Sequence, residues 1–137
     1  MQPLLLDTCA VIWIAEGETL ADEATAALDA VHAAGVPTYI SPITAWEVGL
    51  LAARGRLQLL ITPQRWFARL FDVPQVTLAD MSPDLLIASS FLPGEPPRDP
   101  ADRIMLATAR DLGAALVTRD RALLDYGGQG HVKIVAC

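Results

Sequence analysis

Short apolar runs alternate with longer amphipathic segments along this chain. Residues 4–6 are three leucines that end at an aspartate, and the other runs are similarly short and rich in β-branched or aromatic side chains. Runs of three to five such residues predict buried β-strands. The predicted strands are residues 4–6, 37–41, 76–78, 114–118 and 132–135.

The segments between these runs have the spacing and the end signals of helices. Residues 19–34 place Leu20, Leu28 and Val31 on one face and end at Gly35. A proline in the first turn or a capping residue before it marks several of the others. The further predicted helices are residues 10–15, 44–55, 64–71, 85–92, 100–112 and 122–126.

Strands that alternate with helices indicate an α/β fold with a mainly parallel central sheet flanked by helices. The segment at 93–98, PGEPPR, is the most broken part of the chain and predicts a loop. At 137 residues, without an internal repeat or a linker, the sequence predicts one domain over 1–137.

Composition narrows the class of protein. The apolar runs are too short to span a membrane, and no basic-then-apolar signal segment is recognisable, so we expect a soluble cytoplasmic protein. Cys9 and Cys137 belong to no CxxC unit and are expected to be ordinary reduced thiols. The net charge of −6 argues against bulk attraction to nucleic acid.

Arginine is nevertheless concentrated locally. Nine of the ten basic residues are arginine, and Arg54, Arg56, Arg65 and Arg69 fall in one segment. Arginine binds phosphates well, so a local basic patch on an acidic body is one explanation. A compositional bias towards arginine and alanine is the other, and we weight it more heavily.

Acidic residues follow or adjoin several of the predicted strands. Asp7 follows the first strand, Asp120 follows the strand at 114–118, and Asp99 and Asp102 begin the helix that leads into it. Glu47 lies within the apolar helix TAWEVGLL and shares a face with aliphatic side chains. Ligand sites of open α/β sheets lie at the carboxyl ends of the strands, so these acids are expected to converge there.

Taken singly, each acid has an ordinary structural explanation. Asp7 and Asp120 could cap the helices that follow them, and Glu47 could reach water from the edge of its stripe. Asp99, with Pro100 behind it, has the pattern of an N-cap, and Asp102 at the third helical position would favour the helix dipole. Converging carboxylates would repel one another unless a divalent cation such as Mg²⁺ neutralised them, and such a site suits phosphodiester hydrolysis.

Four sequence blocks carry a resemblance to a known family. LLLDT, the helix with WE, DPADR followed by ATAR, and LVTRD occur in this order over nearly the whole chain. Together they resemble the PIN-domain ribonucleases, specifically the VapC-type toxins of bacterial toxin–antitoxin pairs. The resemblance implies a PIN-like fold and a Mg²⁺- or Mn²⁺-dependent site. The implied catalytic and metal-binding residues are Asp7, Glu47, Asp102 and Asp120, with Asp99 ranked behind them as a cap, an outer group or a ligand.

The resemblance also implies substrate and partners. The activity would be endonucleolytic cleavage of RNA, with Thr8 and Thr118 supporting the acids and Arg103 and Arg119 as candidates for gripping phosphates. Solvated surface arginines are the equal alternative. The partners would be a VapB-type antitoxin and a second copy of the chain. The aromatic residues Trp46, Trp66 and Phe67 could serve a homodimer interface, although core packing is the commoner use of each.

Two other functions remain open at this level. A receiver-like signalling module also gathers acids around Mg²⁺, but it needs a lysine at the end of a late strand, and Lys133 is predicted inside the last one. A catalytically inactive PIN scaffold that only binds antitoxin or RNA is the other, although the presence of all four acids argues against loss of activity.

Overall fold

Five short strands form the centre of the molecule, which the computed structural model describes over residues 1–137. They are β1 (Leu4–Leu6), β2 (Thr38–Ile40), β3 (Val76–Leu78), β4 (Ala115–Thr118) and β5 (Ile134–Ala136). All four pairings are parallel, in the order β3-β2-β1-β4-β5. The predicted α/β class and parallel sheet are confirmed, and the sheet contains no antiparallel strand.

Seven helices connect and cover these strands. They are α1 (Thr8–Ala15), α2 (Asp22–Ala33), α3 (Pro42–Ala53), α4 (Pro63–Arg69), α5 (Pro83–Ala88), α6 (Pro100–Leu112) and α7 (Arg121–Gly127), with a 3₁₀ turn at Leu70–Asp72 after α4. In six of them a side chain of the N-cap residue accepts a backbone N–H, and α2 is the exception. Four begin with proline, whose missing N–H is no loss in a first turn.

Several predicted boundaries were wrong for identifiable reasons. The helix predicted from Thr44 begins at Pro42, because Ser41 caps it and proline fits the first turn. The helix predicted over 64–71 divides into α4 and the 3₁₀ turn, and α5 ends at Ala88, where the Ser89 hydroxyl donates to the Leu86 carbonyl.

The ends of two other elements also differ from the prediction. The helix predicted over 122–126 is one residue longer at each end, since α7 extends from Arg121 to Gly127. Strand β5 begins at Ile134, so Lys133 precedes the strand rather than lying inside it. That position places Lys133 at the amino ends of the parallel strands.

The sheet divides the core into two faces. Leu4 and Leu6 point to one face and Leu5 to the other, as alternation along a strand requires. Trp66 and Phe67 pack, partly buried, against the first face, which fits the core-packing alternative. No helix here is both long enough and apolar enough to cross a membrane.

The register of the strands aligns their carboxyl ends. Leu6 of β1 pairs with Ile40 of β2 and with Val117 of β4. The residues at or just beyond the carboxyl ends of these strands, Thr118 and Asp7 among them, therefore lie at one edge of the sheet.

Candidate active site

Asp7 is a buried carboxylate in which both oxygens accept hydrogen bonds. It follows β1 and caps α1, with Oδ1 accepting the Thr8 backbone N–H at 2.9 Å. Its Oδ2 accepts the Thr118 hydroxyl at 2.7 Å and the Cys9 thiol at 3.3 Å. Burial raises the pKa of Asp7 above its ordinary value, although these hydrogen bonds lower it and the charge of Asp120 raises it further. The carboxylate is therefore rigidly held but inadequately neutralised.

Glu47 lies beside Asp7, linked to it through one threonine. Its Oε1 accepts the Thr8 hydroxyl at 2.7 Å, so Thr8 bonds Asp7 through its backbone and Glu47 through its side chain. Glu47 is half-buried, which is intermediate between the buried-face and solvent-edge alternatives of the sequence. Burial raises its pKa, the Thr8 bond lowers it, and the charges of Asp7 and Asp99 raise it.

Asp99 and Asp120 are exposed N-caps of the two helices on either side of β4. Asp99 Oδ1 accepts the N–H groups of Ala101 and Asp102 at 2.8 and 3.3 Å. Asp120 Oδ1 accepts the N–H groups of Ala122 and Leu123 at 2.9 and 3.3 Å. In both residues Oδ2 accepts no hydrogen bond from the protein, so each cap keeps one oxygen free.

Asp102 differs from the other four acids. It is half-buried, and its carboxylate accepts no hydrogen bond from the protein. Burial raises the pKa of Asp102 from 3.8 to about 7, with further increases from the charges of the other acids. In order of size, those charges are on Asp99, Asp120, Asp7 and Glu47. The charges of all four thus act on Asp102, so the five carboxylates lie near one another, and we refer to this region at the carboxyl ends of the strands as the crevice.

The chemistry of this donor set fits a hard divalent cation better than its geometry does. No three His, Cys, Asp or Glu side chains are arranged, as they stand, so that they could hold a metal ion. Oxygen donors whose pKa values are raised by burial and by one another are nevertheless what Mg²⁺ would relieve. Because Mg²⁺ keeps several waters and needs only one or two carboxylates, the chemistry of the set is compatible with this ion even without three preformed protein ligands.

The two arginines proposed as phosphate contacts have other partners in this structure. Arg103 donates its Nε–H to the Pro97 carbonyl at 2.7 Å. The Arg119 guanidinium stacks on the ring of Trp13, 3.2 Å from its centroid. Contact of either residue with phosphate therefore stays a prediction, as does a role for the exposed arginines of the 54–69 segment.

The loop before α6 is fastened by α7 and the turn after it. The Tyr126 hydroxyl donates to the Pro93 carbonyl at 2.7 Å. The side-chain amide of Gln129 accepts the Glu95 N–H at 2.9 Å and donates to the Glu95 carbonyl at 3.1 Å. These bonds fix the chain that delivers Asp99 and Asp102. Sequence reasoning missed them, since nothing in the proline-rich loop indicates what anchors it.

Two further residues of the site were not identified from the sequence. Cys9, expected to be an ordinary thiol, donates to Asp7, and burial together with the Asp7 charge raises its pKa to about 12. Thr44 is fully buried, and its hydroxyl lies 3.0 Å from that of Thr8. The available signal for Thr44 was its position three residues before Glu47, on nearly the same face of α3.

A cavity elsewhere in the molecule is distinct from the crevice. It has a volume of about 620 Å³ and is lined mostly by apolar side chains, including Val11, Ile40 and Trp66. None of the five acids lines it. The crevice is polar because carboxylates surround it, whereas the side chains that line this cavity are mostly apolar and suit contact with an apolar group.

The family model for the PIN domain matches residues 4–129, from the start of β1 to beyond α7. The chain belongs to the PIN domain family. The match includes every acid of the crevice as well as Thr8, Thr44 and Thr118. The resemblance stated from the sequence blocks is confirmed at the level of the family.

Individual relatives of this PIN domain extend over nearly the whole chain. Ribonuclease VapC22 of Mycobacterium tuberculosis is 35% identical over 127 residues, which cover 92% of this chain and 93% of that protein. A toxin–antitoxin complex from Klebsiella pneumoniae contains a chain with 26% identity and a TM-score of 0.62, covering 96% of this chain and 95% of that one.

A more distant structure shows the same fold. A chain of VapBC2 from Rickettsia felis, solved with a DNA fragment from their promoter, has a TM-score of 0.66 at 13% identity and covers 98% of both chains. At that identity the likeness concerns the arrangement of helices and strands alone. The PIN fold is therefore supported by the family model, by a sequence relative and by solved structures.

Proposed function

We propose that this PIN domain is a metal-dependent endoribonuclease and the toxin of a VapBC-type toxin–antitoxin pair. The observation that carries the proposal is the crevice of five carboxylates, in which the pKa of Asp102 is raised to about 7. Such an arrangement is costly for folding and useful for phosphodiester hydrolysis. The relative named as a ribonuclease supports RNA as the substrate class.

The residues that would hold Mg²⁺ or Mn²⁺ are Asp7, Glu47, Asp102 and Asp120, with Asp99 beside them. When bound, the ion would supply a polarised water and offset the charge of the phosphate. Thr8 and Thr118 keep the carboxylates of Asp7 and Glu47 in place by donating to them.

Among these acids, Asp102 is the one whose carboxylate accepts no hydrogen bond from the protein, so both of its oxygens are available to the ion and to the attacking water. One of the acids would accept the proton of that water as general base. Because an ion bound by Asp102 would lower its pKa again, the raised value belongs to the metal-free protein.

The direct test is RNA cleavage by the purified chain. We expect cleavage of a mixed panel of structured and single-stranded RNAs with Mg²⁺ or Mn²⁺, and none with excess EDTA. Asp102→Asn is the matched inactive control, because it keeps the shape and removes no hydrogen bond of the native protein. Cleavage that persists in EDTA, or that is equal in Asp102→Asn, would show that the proposed chemistry is wrong.

The partner proposal rests on the structural neighbours. Several of the solved relatives are toxin–antitoxin complexes, including that from Klebsiella pneumoniae. We expect a small DNA-binding antitoxin, encoded next to this chain, to copurify with it and to suppress RNA cleavage by covering the crevice. A homodimer is also expected, and light scattering of the purified chain measures it. Trp46, 57% exposed on α3, is available for such a contact and is not core.

Two alternative functions, a receiver-like signalling module and an inactive PIN scaffold, were left open by the sequence. A receiver-like module gains nothing from the structure, since Lys133 precedes β5 at the end of the sheet away from the acids. The inactive scaffold is favoured by one observation, that no three ligands are yet arranged around a point. Calorimetric titration with Mn²⁺ separates the inactive scaffold from the proposed ribonuclease. The ribonuclease is expected to bind the ion, and the inactive scaffold is expected not to bind it at millimolar concentration.

A further inference from the structure

Thr44 is a buried hydroxyl whose partner is another hydroxyl. It lies in the first turn of α3 with no exposed surface, and its Oγ1 is 3.0 Å from Oγ1 of Thr8. Buried threonines in helices commonly donate to the carbonyl four residues before, as Thr108 does to Ile104 at 2.7 Å. Thr44 instead points across to α1, so its hydroxyl is committed to the contact between the two helices.

The direction of the hydrogen bonds follows from counting protons. Thr8 has one hydroxyl hydrogen, and an ionised Glu47 can only accept, so Thr8 donates to Glu47 Oε1 at 2.7 Å. The hydrogen between the two threonines must then come from Thr44. The result is a relay in which Thr44 donates to Thr8 and Thr8 donates to Glu47.

This relay controls a residue that touches two acids at once. The backbone N–H of Thr8 is bonded to Asp7, so Thr8 cannot shift without moving the cap of α1. Only its side-chain rotamer is left to be fixed, and the hydrogen bond from Thr44 fixes it. The Glu47 carboxylate is in turn held at a defined position relative to Asp7.

We infer that Thr44 is a positioning residue, which orients the Glu47 carboxylate for cation binding through the hydroxyl of Thr8. The inference rests on the proposed metal-dependent function and extends it to a residue that touches neither ion nor substrate. Removal of a residue that orients a metal ligand without touching the metal commonly lowers metal affinity by about 10- to 100-fold.

The first measurement is Mn²⁺ affinity of the full chain by calorimetry. Thr44→Val keeps the volume and removes the donor, and we expect an increase in Kd of about 10-fold. Thr44→Ser restores the hydroxyl and is expected to bind like wild type. Thr108→Val is the matched control, a buried helix threonine that loses a hydroxyl bond, and its Mn²⁺ affinity is expected to be unchanged.

A double-mutant cycle with Thr8→Val tests whether the effect passes through Thr8. Thr44→Val should add nothing in the Thr8→Val background, because the relay is already broken there. Independent, additive effects of the two substitutions would overturn the relay, as would a wild-type Kd in Thr44→Val.

A readout without metal separates this inference from the proposed function. In the metal-free protein, three-bond couplings of the Thr8 methyl group report its rotamer. We expect one rotamer in wild type and Thr44→Ser and averaging in Thr44→Val. If wild type binds no Mn²⁺, the proposed function fails and so does the role in cation binding. A single Thr8 rotamer in Thr44→Val overturns the relay itself.

Discussion

The five acids of the crevice form two groups, which differ in whether their carboxylates accept hydrogen bonds from backbone N–H groups. Asp7, Asp99 and Asp120 are N-caps, and each accepts at least one backbone N–H at the start of a helix. Glu47 and Asp102 lie inside helices and accept none. The helix N-terminus favours negative charge at the caps and also at Asp102, which lies in the first turn of α6, whereas Glu47 depends on the hydroxyl of Thr8.

The two groups also differ in how many carboxylate oxygens are already used to cap a helix. A capping carboxylate stabilises its helix through one oxygen and can present the other to the crevice. Asp102 accepts no hydrogen bond from the protein, so both its oxygens are available, and its pKa is the most strongly raised of the group. The caps therefore fix the starts of the helices that carry the site, and the interior acids keep oxygens that the backbone does not use.

The largest expected effect contrasts one acid of each group. Asp7→Asn and Asp102→Asn should each reduce RNA cleavage by at least about 100-fold. Asp7→Asn should also be less stable than Asp102→Asn by about 1 kcal/mol or more, because an amide nitrogen cannot accept the hydrogen bonds of Thr118 and Cys9. Single-turnover cleavage and urea unfolding measure the two effects. Equal stability of the two variants would erase the distinction between the groups.

A second, smaller effect is the pH dependence of stability without metal. The pKa of Asp102 rises from 3.8 to about 7 on folding, and those of Asp7 and Glu47 also rise. The folded state therefore holds protons that the unfolded chain has released. The free energy of unfolding should be highest near pH 4, fall as the pH rises to about 7, and then level off.

Urea midpoints in EDTA between pH 4 and 8 measure this slope. Asp102→Asn should flatten it more than Asp99→Asn does, since Asp102 has the large shift. Added Mg²⁺ should stabilise the wild type more at pH 8 than at pH 5, because it binds the ionised acids. If the free energy of unfolding of Asp102→Asn depends on pH as that of wild type does, residues other than Asp102 cause the pH dependence.

The smallest expected effect distinguishes among the caps. Asp99→Ala and Asp120→Ala should each lower the free energy of unfolding by about 1 kcal/mol. Asp120→Ala should also lose most cleavage, while Asp99→Ala keeps part of it. Thr62→Ala, which removes the cap of α4 away from the acids, is the control: similar destabilisation with full cleavage. The reverse ranking of Asp99 and Asp120 would exchange their roles.

Local signals were sufficient to predict the elements that carry the site. Helix α6 was predicted with its observed bounds, Pro100–Leu112, because Asp99, Pro100 and Gly113 mark its ends unambiguously. The capping role of Asp99 was predicted in the same way and is confirmed. Asp7 and Asp120 show that an ordinary capping explanation and a place in the crevice are compatible.

Contacts between side chains that are distant in the sequence could not be predicted from such local signals. Whether Glu47 faces the core or water depends on Thr8, which is 39 residues away in the chain. The stacking of Arg119 on Trp13 and the anchoring of Glu95 by Gln129 likewise depend on elements brought together by the sheet. Periodicity specifies which face a residue is on, and only packing specifies what meets it.

The bond between Asp7 and Thr118 has a consequence for how the protein is made. It joins residues 111 positions apart, and it exists only when β4 has inserted beside β1. A nascent chain that has emerged as far as α5 contains Asp7 and Glu47 but neither Asp102 nor Asp120. Synthesis therefore completes the crevice at a late step, and a chain that ends before Asp102 lacks two of its five acids.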